Sequence, residues 1–214
     1  MGIHHRLSLL ISAASIFGAL ASILAILPLS IPYPPIPYLK FDIAEIPVVI
    51  ALLCFGPLSG MGSALIYWGI LLWRGEFSPI GPSMKFLAVF SMLMGFWIGA
   101  KIFRGSRFML HLSFLLGVFL RILSMSAMNY LIAYLLFPGF MKSAARTISL
   151  VLGIDVSGEL SCLIVVLTFT AVFNLIHSIL SIVPSIMIVR YVSSRELTPY
   201  LKKTWYKMVL EEKS

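Results

Sequence analysis

The chain alternates between long apolar runs and short polar breaks. Leu7 to Leu29 carries no charge, and further apolar runs cover Ile43 to Phe55, Leu58 to Trp73, Met84 to Phe103, Leu110 to Phe137 and Leu160 to Val189. None shows the two-residue alternation of a membrane strand, so each is predicted as a helix. The expected fold class is an all-α integral membrane protein with six transmembrane helices. The run from Ile43 is stopped by Phe55-Gly56-Pro57, which leaves about 20 Å of helix against a hydrocarbon core of about 30 Å. A helix that short needs protein around it. Pro47 falls in its first turn, where a missing N–H is tolerated. The last run is uncharged for about 30 residues, long enough to tilt or to project from a bilayer.

The breaks have characters of their own. Pro28 to Pro37 holds five prolines, which resist helix, and it is expected as an extended, polyproline-like lid or rim loop. Gly139 to Gly158 has room for a short interfacial helix, and Arg190 onward reads as a polar tail. The expected organisation is one six-helix transmembrane domain over residues 1–190 and a cytoplasmic polar tail over 191–214. His4 and His5 are adjacent rather than on one helical face and read as a solvated N-terminus. No internal repeat is visible, so an inverted-repeat carrier is not indicated.

Composition agrees with this pattern. Of 214 residues, 60% are hydrophobic and 11% charged, with a mean hydropathy of +1.02, too little polar surface for a soluble domain. The first run is too long for a typical signal peptide and is kept as a structural helix. A net charge of +8 would suggest nucleic acid in a soluble protein, but its placement points to the lipid bilayer instead. With six spans, one face carries Arg6, Lys101, Arg104, Arg107, Arg190, Arg195, Lys202, Lys203, Lys207 and Lys213. The other carries Lys40, Arg74, Lys85, Lys142 and Arg146, matched by Asp42, Glu45, Glu76, Asp155 and Glu159. The positive-inside rule then puts both termini in the cytoplasm of a multi-pass protein of the cell membrane. Cys54 and Cys162 form no CxxC pair and read as structural thiols.

Polar groups between or within the runs are the candidates for chemistry. Lys40, Asp42 and Glu45 place three charges on six residues, so this segment is expected at an outward-facing mouth rather than deep in lipid. Arg121 must face protein or water, either tying its helix to neighbouring carbonyls or serving a site. Asn129 lies about 12 Å further along the axis and about 80° round it, so the two can line one cavity at different depths. Asn174 and His177 are three apart and share a helix face, where an amide and an imidazole suit the edge of a neutral heteroaromatic ring. Interhelical hydrogen bonding is the plainer role for both. Tyr67, Trp68, Trp73, Phe86 and Trp97 could stack on a planar ligand or anchor at the interface. In the first run, small residues recur as Ala14 to Gly18 and Ser15 to Ala19, which permits close approach of a helix, internal or from a partner. No Walker lysine motif and no HExxH is present, so neither ATP hydrolysis by this chain nor an intramembrane metal centre is expected.

Tyr38-Leu39-Lys40-Phe41-Asp42-Ile43-Ala44-Glu45-Ile46-Pro47, followed by Phe55-Gly56-Pro57-Leu58-Ser59-Gly60, resembles the segment after the first helix in the substrate-binding S components of energy-coupling-factor vitamin transporters. Asn129-Tyr130 and Phe173-Asn174-Leu175-Ile176 resemble two further motifs, and the riboflavin-binding branch is the nearest. The resemblance implies a six-helix subunit, not an enzyme and without a cofactor, that binds a vitamin from outside. It also implies docking, through small residues of the first helix, on a transmembrane coupling subunit that carries two cytoplasmic ATPases. The candidate substrate-binding set is Lys40, Asp42, Glu45, Tyr67, Asn129, Asn174 and His177, and the candidate docking set is Ala14, Ser15, Gly18 and Ala19. The chain departs from the branch at His177, where the branch has lysine, at Tyr67-Trp68, where it has Lys-Asn, and around Pro82 and Lys85. Three other readings stay open: another small planar vitamin, a membrane enzyme using Arg121 and His177 on a lipid or isoprenoid, and a bundle subunit with no ligand.

Overall fold

The computed structural model describes residues 3–74, 77–194 and Trp205. Expectations for Glu76, Arg195, Lys202, Lys203, Lys207 and Lys213, and for the side chains of His4, His5 and Arg6, lie outside the described residues. Among the described residues there are seven α-helices: α1 (Ile3–Ile26), α2 (Glu45–Phe55), α3 (Pro57–Arg74), α4 (Ile80–Ile102), α5 (Met109–Asn129), α6 (Pro138–Leu152) and α7 (Glu159–Ser194). A π-helical segment, Tyr130–Leu136, continues α5, and two strands, β1 (Ile31–Tyr33) and β2 (Ile36–Phe41), lie between α1 and α2. Among the described residues, four stretches are long and apolar enough to cross a membrane: Leu7–Ile26, Ile80–Ile102, Met109–Leu136 and Glu159–Ser194. The protein is a helical membrane protein, and α2 is a shorter apolar helix of 11 residues.

The proline-rich segment differs from expectation. Instead of an isolated polyproline stretch, it folds into an antiparallel hairpin that pairs Ile31 with Phe41 and Pro32 with Lys40, with an irregularity after Pro32. Proline is accommodated because both strands of a two-stranded sheet are edges, and a residue without an N–H can sit on the unpaired side. Ile36, from β2, is fully buried against Met141, Ala144 and Ile148 of α6 and Phe173 of α7. The hairpin is thus pinned to the helices and not a free loop. The Gly139 to Gly158 region does hold a helix, α6, begun by Pro138 at its first turn.

α2 ends where its sequence says it must. Gly56 has φ of +95°, a conformation a side chain would strain, and Pro57 opens α3 directly after it. Trp205 closes this corner, its Cδ1 3.1 Å from where a Gly56 Cβ would lie.

Small residues govern two helix pairs. Between α4 and α5, a Cβ on Gly95 would come within 2.7 Å of the Gly117 Cα, and one on Gly99 within 2.6 Å of the Ser113 Cα. Between α1 and α3, a Cβ on Gly18 would meet Ile66 at 2.8 Å, and one on Gly62 would meet Ala14 at 2.9 Å. Ser59 donates to the Leu10 carbonyl (3.0 Å), and the Ser63 hydroxyl lies 3.2 Å from the Ala14 carbonyl. Of the four candidate docking residues, Ala14 and Gly18 are buried against α3, whereas Ser15 and Ala19 are exposed. The two four-residue rows are offset by one position, about 100° round the helix, so they face different neighbours.

Candidate functional site

A cavity of about 710 Å3 lies between the hairpin and helices α1, α3, α4, α5 and α7, within the size range of small-molecule sites. Its wall is mostly apolar and aromatic, with Tyr38, Phe77, Phe137, Phe140 and Phe173, and its charged, amide and imidazole groups are Lys40, Asp42, Glu45, Arg74, Lys85, Arg121, Asn129, Asn174 and His177. The elements that bring these together are the end of β2, the start of α2, the end of α3, the first part of α4, and one face each of α5 and α7.

Arg121 is the centre of the floor. It is 1% exposed and Glu45 0%, a burial that charges tolerate only when paired and hydrogen-bonded. Its Nη1 donates to Glu45 Oε2 (2.6 Å) and its Nη2 to Glu45 Oε1 (3.0 Å), the planar two-bond fork that guanidinium makes with carboxylate. Nε donates to Asn174 Oδ1 (3.1 Å). Nη2 also faces His177 Nδ1 at 3.3 Å, and Nη1 faces Met92 Sδ at 3.6 Å. Ser181 adds a donor to Glu45 Oε2 (2.9 Å). Arg121 therefore ties its helix to its neighbours through a carboxylate, an amide and an imidazole, rather than through the backbone carbonyls of the first of the two readings open to it.

The surrounding groups are held by their own helices. Asn174 Nδ2 donates to the Thr170 carbonyl (2.8 Å), and Asn129 Nδ2 to the Met125 carbonyl (2.9 Å). His177 Nε2 lies 3.2 Å from the Asp42 carbonyl, which ties α7 to the link between β2 and α2. Asp42 accepts from the Ala44 backbone N–H (3.0 Å) and pairs with Lys85 of α4. Three polar links thus fasten the start of α2: Asp42 to α4, Glu45 to α5 and α7, and the Ser185 hydroxyl to the Ile46 carbonyl (3.1 Å).

Of the seven candidate binding residues, Lys40, Asp42, Glu45, Asn129, Asn174 and His177 line the cavity. Tyr67 does not. It is buried between α3 and α4, with the Lys85 ammonium 5.6 Å from its ring centroid. The charged segment is a mouth only in part, because Lys40 is exposed and Glu45 wholly buried. The aromatics singled out for stacking are elsewhere too: Trp68 stacks on Phe86 (5.1 Å), the Lys101 ammonium lies 3.9 Å from the Trp97 ring centroid, and Trp73 is 87% exposed. The rings that line the cavity are Tyr38 and Phe173, which stand in the quoted motifs, together with Phe77, Phe137 and Phe140. Phe140 gathers Tyr38 (6.5 Å), Phe77 (5.9 Å) and Phe137 (6.1 Å) around itself, and Phe173 stacks on Phe41 at 4.6 Å. For Phe137 and Phe140 the sequence signal is the Phe137-Pro138-Gly139-Phe140 break. Lys85 was legible as a charge on the mouth face but not as the partner of Asp42.

Known proteins share this architecture. The family described as ECF transporter, substrate-specific component, matches residues 10–189. The riboflavin transporter FmnP of Bacillus subtilis (strain 168) is 30% identical over 169 residues, 76% of this chain and 86% of that protein. The riboflavin transporter RibU of Staphylococcus aureus (strain TCH60) is 35% identical over 82 residues, 37% of this chain and 42% of that protein, so that match spans less than half its length. A solved S component of a bacterial ECF transporter superposes with a TM-score of 0.66 at 21% identity, covering 92% of this chain and 100% of that one. The fold, and a family match that runs from α1 into the last turns of α7, agree: the chain belongs to the substrate-specific components of ECF transporters.

Proposed function

We propose that this chain is a high-affinity riboflavin-binding subunit of an ATP-driven vitamin importer. In this reading α1–α5 and α7 are six spans of a multi-pass protein in the cell membrane, both termini are cytoplasmic, and the cavity opens outward. The observation that carries it is the cavity itself, where two buried amides, Asn129 and Asn174, stand beside an aromatic wall in a space of about 710 Å3. A flavin is a flat ring with a carbonyl and imide edge. Aromatic faces can stack on the ring, and amides can meet its edge with donors and acceptors. Two relatives with riboflavin in their names support the same substrate.

Energy comes from partners: a transmembrane coupling subunit and two cytoplasmic ATPases. The exposed Ser15 and Ala19 row of α1 is the surface offered to the coupling subunit, since small residues let a second helix approach closely.

Titration of the purified protein with riboflavin, read by quenching of tryptophan fluorescence, tests the substrate. Binding at sub-micromolar concentration is expected. Asn174→Leu should weaken it by roughly ten- to a hundredfold, because an unpaired buried hydrogen-bonding group costs about 1–3 kcal/mol. Native protein that neither carries nor binds flavin would remove riboflavin while leaving the family membership intact.

A further inference from the structure

Arg121 lines the cavity, and a cation there would ordinarily be read as a ligand-binding group. Its donors say otherwise. A guanidinium has five N–H groups and no acceptor. Nε goes to Asn174, Nη1 to Glu45 and Met92, and Nη2 to Glu45 and His177, so every N–H already faces a protein atom and the charge is matched by Glu45.

That arrangement dictates the chemistry of its neighbours. Because arginine only donates, the Asn174 atom 3.1 Å from Nε must be the amide oxygen, which settles an orientation that amides otherwise leave open. One Asn174 N–H then goes to the Thr170 carbonyl, and the other is left for the cavity. For the same reason His177 Nδ1 must be an acceptor, so the proton sits on Nε2, facing the Asp42 carbonyl at 3.2 Å and Glu45 Oε1 at 3.6 Å. Both ring nitrogens of His177 are therefore occupied within the protein. Asn129 has no contact of this kind with Arg121, and its amide is oriented by its own helix alone, through the Nδ2 bond to the Met125 carbonyl.

We propose that Arg121 is a positioning and specificity-determining residue: without touching the ligand, it locks Asn174 as a hydrogen-bond donor and closes His177, so that the floor selects an uncharged ligand presenting a carbonyl. The inference rests on the riboflavin reading for its ligand but not for its geometry, and the two are tested separately.

For the geometry, 15N-histidine NMR of the detergent-solubilised protein, with the His177→Gln variant for assignment, should show one neutral tautomer protonated on Nε2. Arg121→Lys keeps a cation for Glu45 but has no Nε, and it should give a tautomer mixture. The double variant Arg121→Met with Glu45→Leu removes both charges and should do the same. A wild-type Nδ1–H tautomer, or an unchanged spectrum in both variants, overturns the proposal.

For the ligand, riboflavin should bind at least about tenfold more tightly than its 2-thio or 4-thio analogue, whose thiocarbonyl is a weaker acceptor, and in both variants that ratio should fall to about twofold or less. Equal ratios in wild type and variants overturn the proposal, because a merely structural Arg121 would change affinity for all three flavins alike. Wild-type protein that binds no flavin sinks the riboflavin reading alone, and the His177 tautomer then decides on Arg121.

Discussion

The α1–α3 interface and the cavity floor hold helices together by opposite means. Along α1 and α3, Gly18, Gly62 and Ala14 bring backbones close, and the polar groups are serines donating to carbonyls of the facing helix. At the floor, α2, α5 and α7 are joined by a fully buried ion pair with amide, imidazole and hydroxyl attached. Lipid is as apolar as a leucine side chain, so neither region gains from the hydrophobic effect between helices as a soluble core does. Small residues give cohesion over a dry face. The charged floor risks far more, since each of its ions is stable only while its partner is present, and in return it fixes the direction of Asn174 and His177 beside the cavity.

The comparison breaks most sharply at Arg121. Arg121→Met leaves Glu45 buried and unpaired, and a loss of about 3–5 kcal/mol is expected. Removing both charges at once, as Arg121→Met with Glu45→Leu, should recover most of that loss, since an apolar pair of similar volume is often as stable. Thermal unfolding in detergent compares the two. A double variant no more stable than the single one would mean that the ion pair itself, and not the orphaned charge, carries the stability.

On α1 the expected effects are smaller and depend on the row. Ala14→Trp overpacks the contact with α3 and should cost about 1–3 kcal/mol. Ala19→Trp, on the exposed row, should leave unfolding and riboflavin titration unchanged while abolishing ATP-driven uptake in vesicles that contain the whole transporter. Normal uptake by Ala19→Trp would move the coupling surface off this face. The smallest effect is expected from Ser63→Ala. It removes a hydroxyl shared between the Ala14 and Ser59 carbonyls, and such bonds in membranes average about 0.6 kcal/mol. A cost comparable to that of Arg121→Met would erase the distinction between the two regions.

Much of this architecture could be read from residue order. The Gly56-Pro57 break does separate α2 from α3, and Asn174 and His177 of α7 do line the same cavity, because helical spacing is a local property. What stayed hidden was non-local. Arg121 and Glu45 are 76 residues apart, and nothing in either neighbourhood says which charge answers which. The hairpin was hidden because Pro32, Pro34, Pro35 and Pro37 argue against strands in general, whereas a two-stranded ribbon leaves one side of each strand unpaired and can hold them. The two small-residue rows of α1 look alike in sequence, and only the position of α3 tells the inner one from the outer.

The Glu45 and Arg121 pair also shapes the field inside the cavity. Two opposite unit charges joined by contacts of 2.6 and 3.0 Å act at a distance as a dipole, whose potential falls off faster than that of a lone ion. Dissolved salt weakens the reach of lone exposed charges over about 8 Å at physiological ionic strength, but it has little purchase on a buried and compensated pair. The floor therefore offers an incoming molecule direction without net attraction, and it keeps that character whether the surrounding medium is fresh or salty.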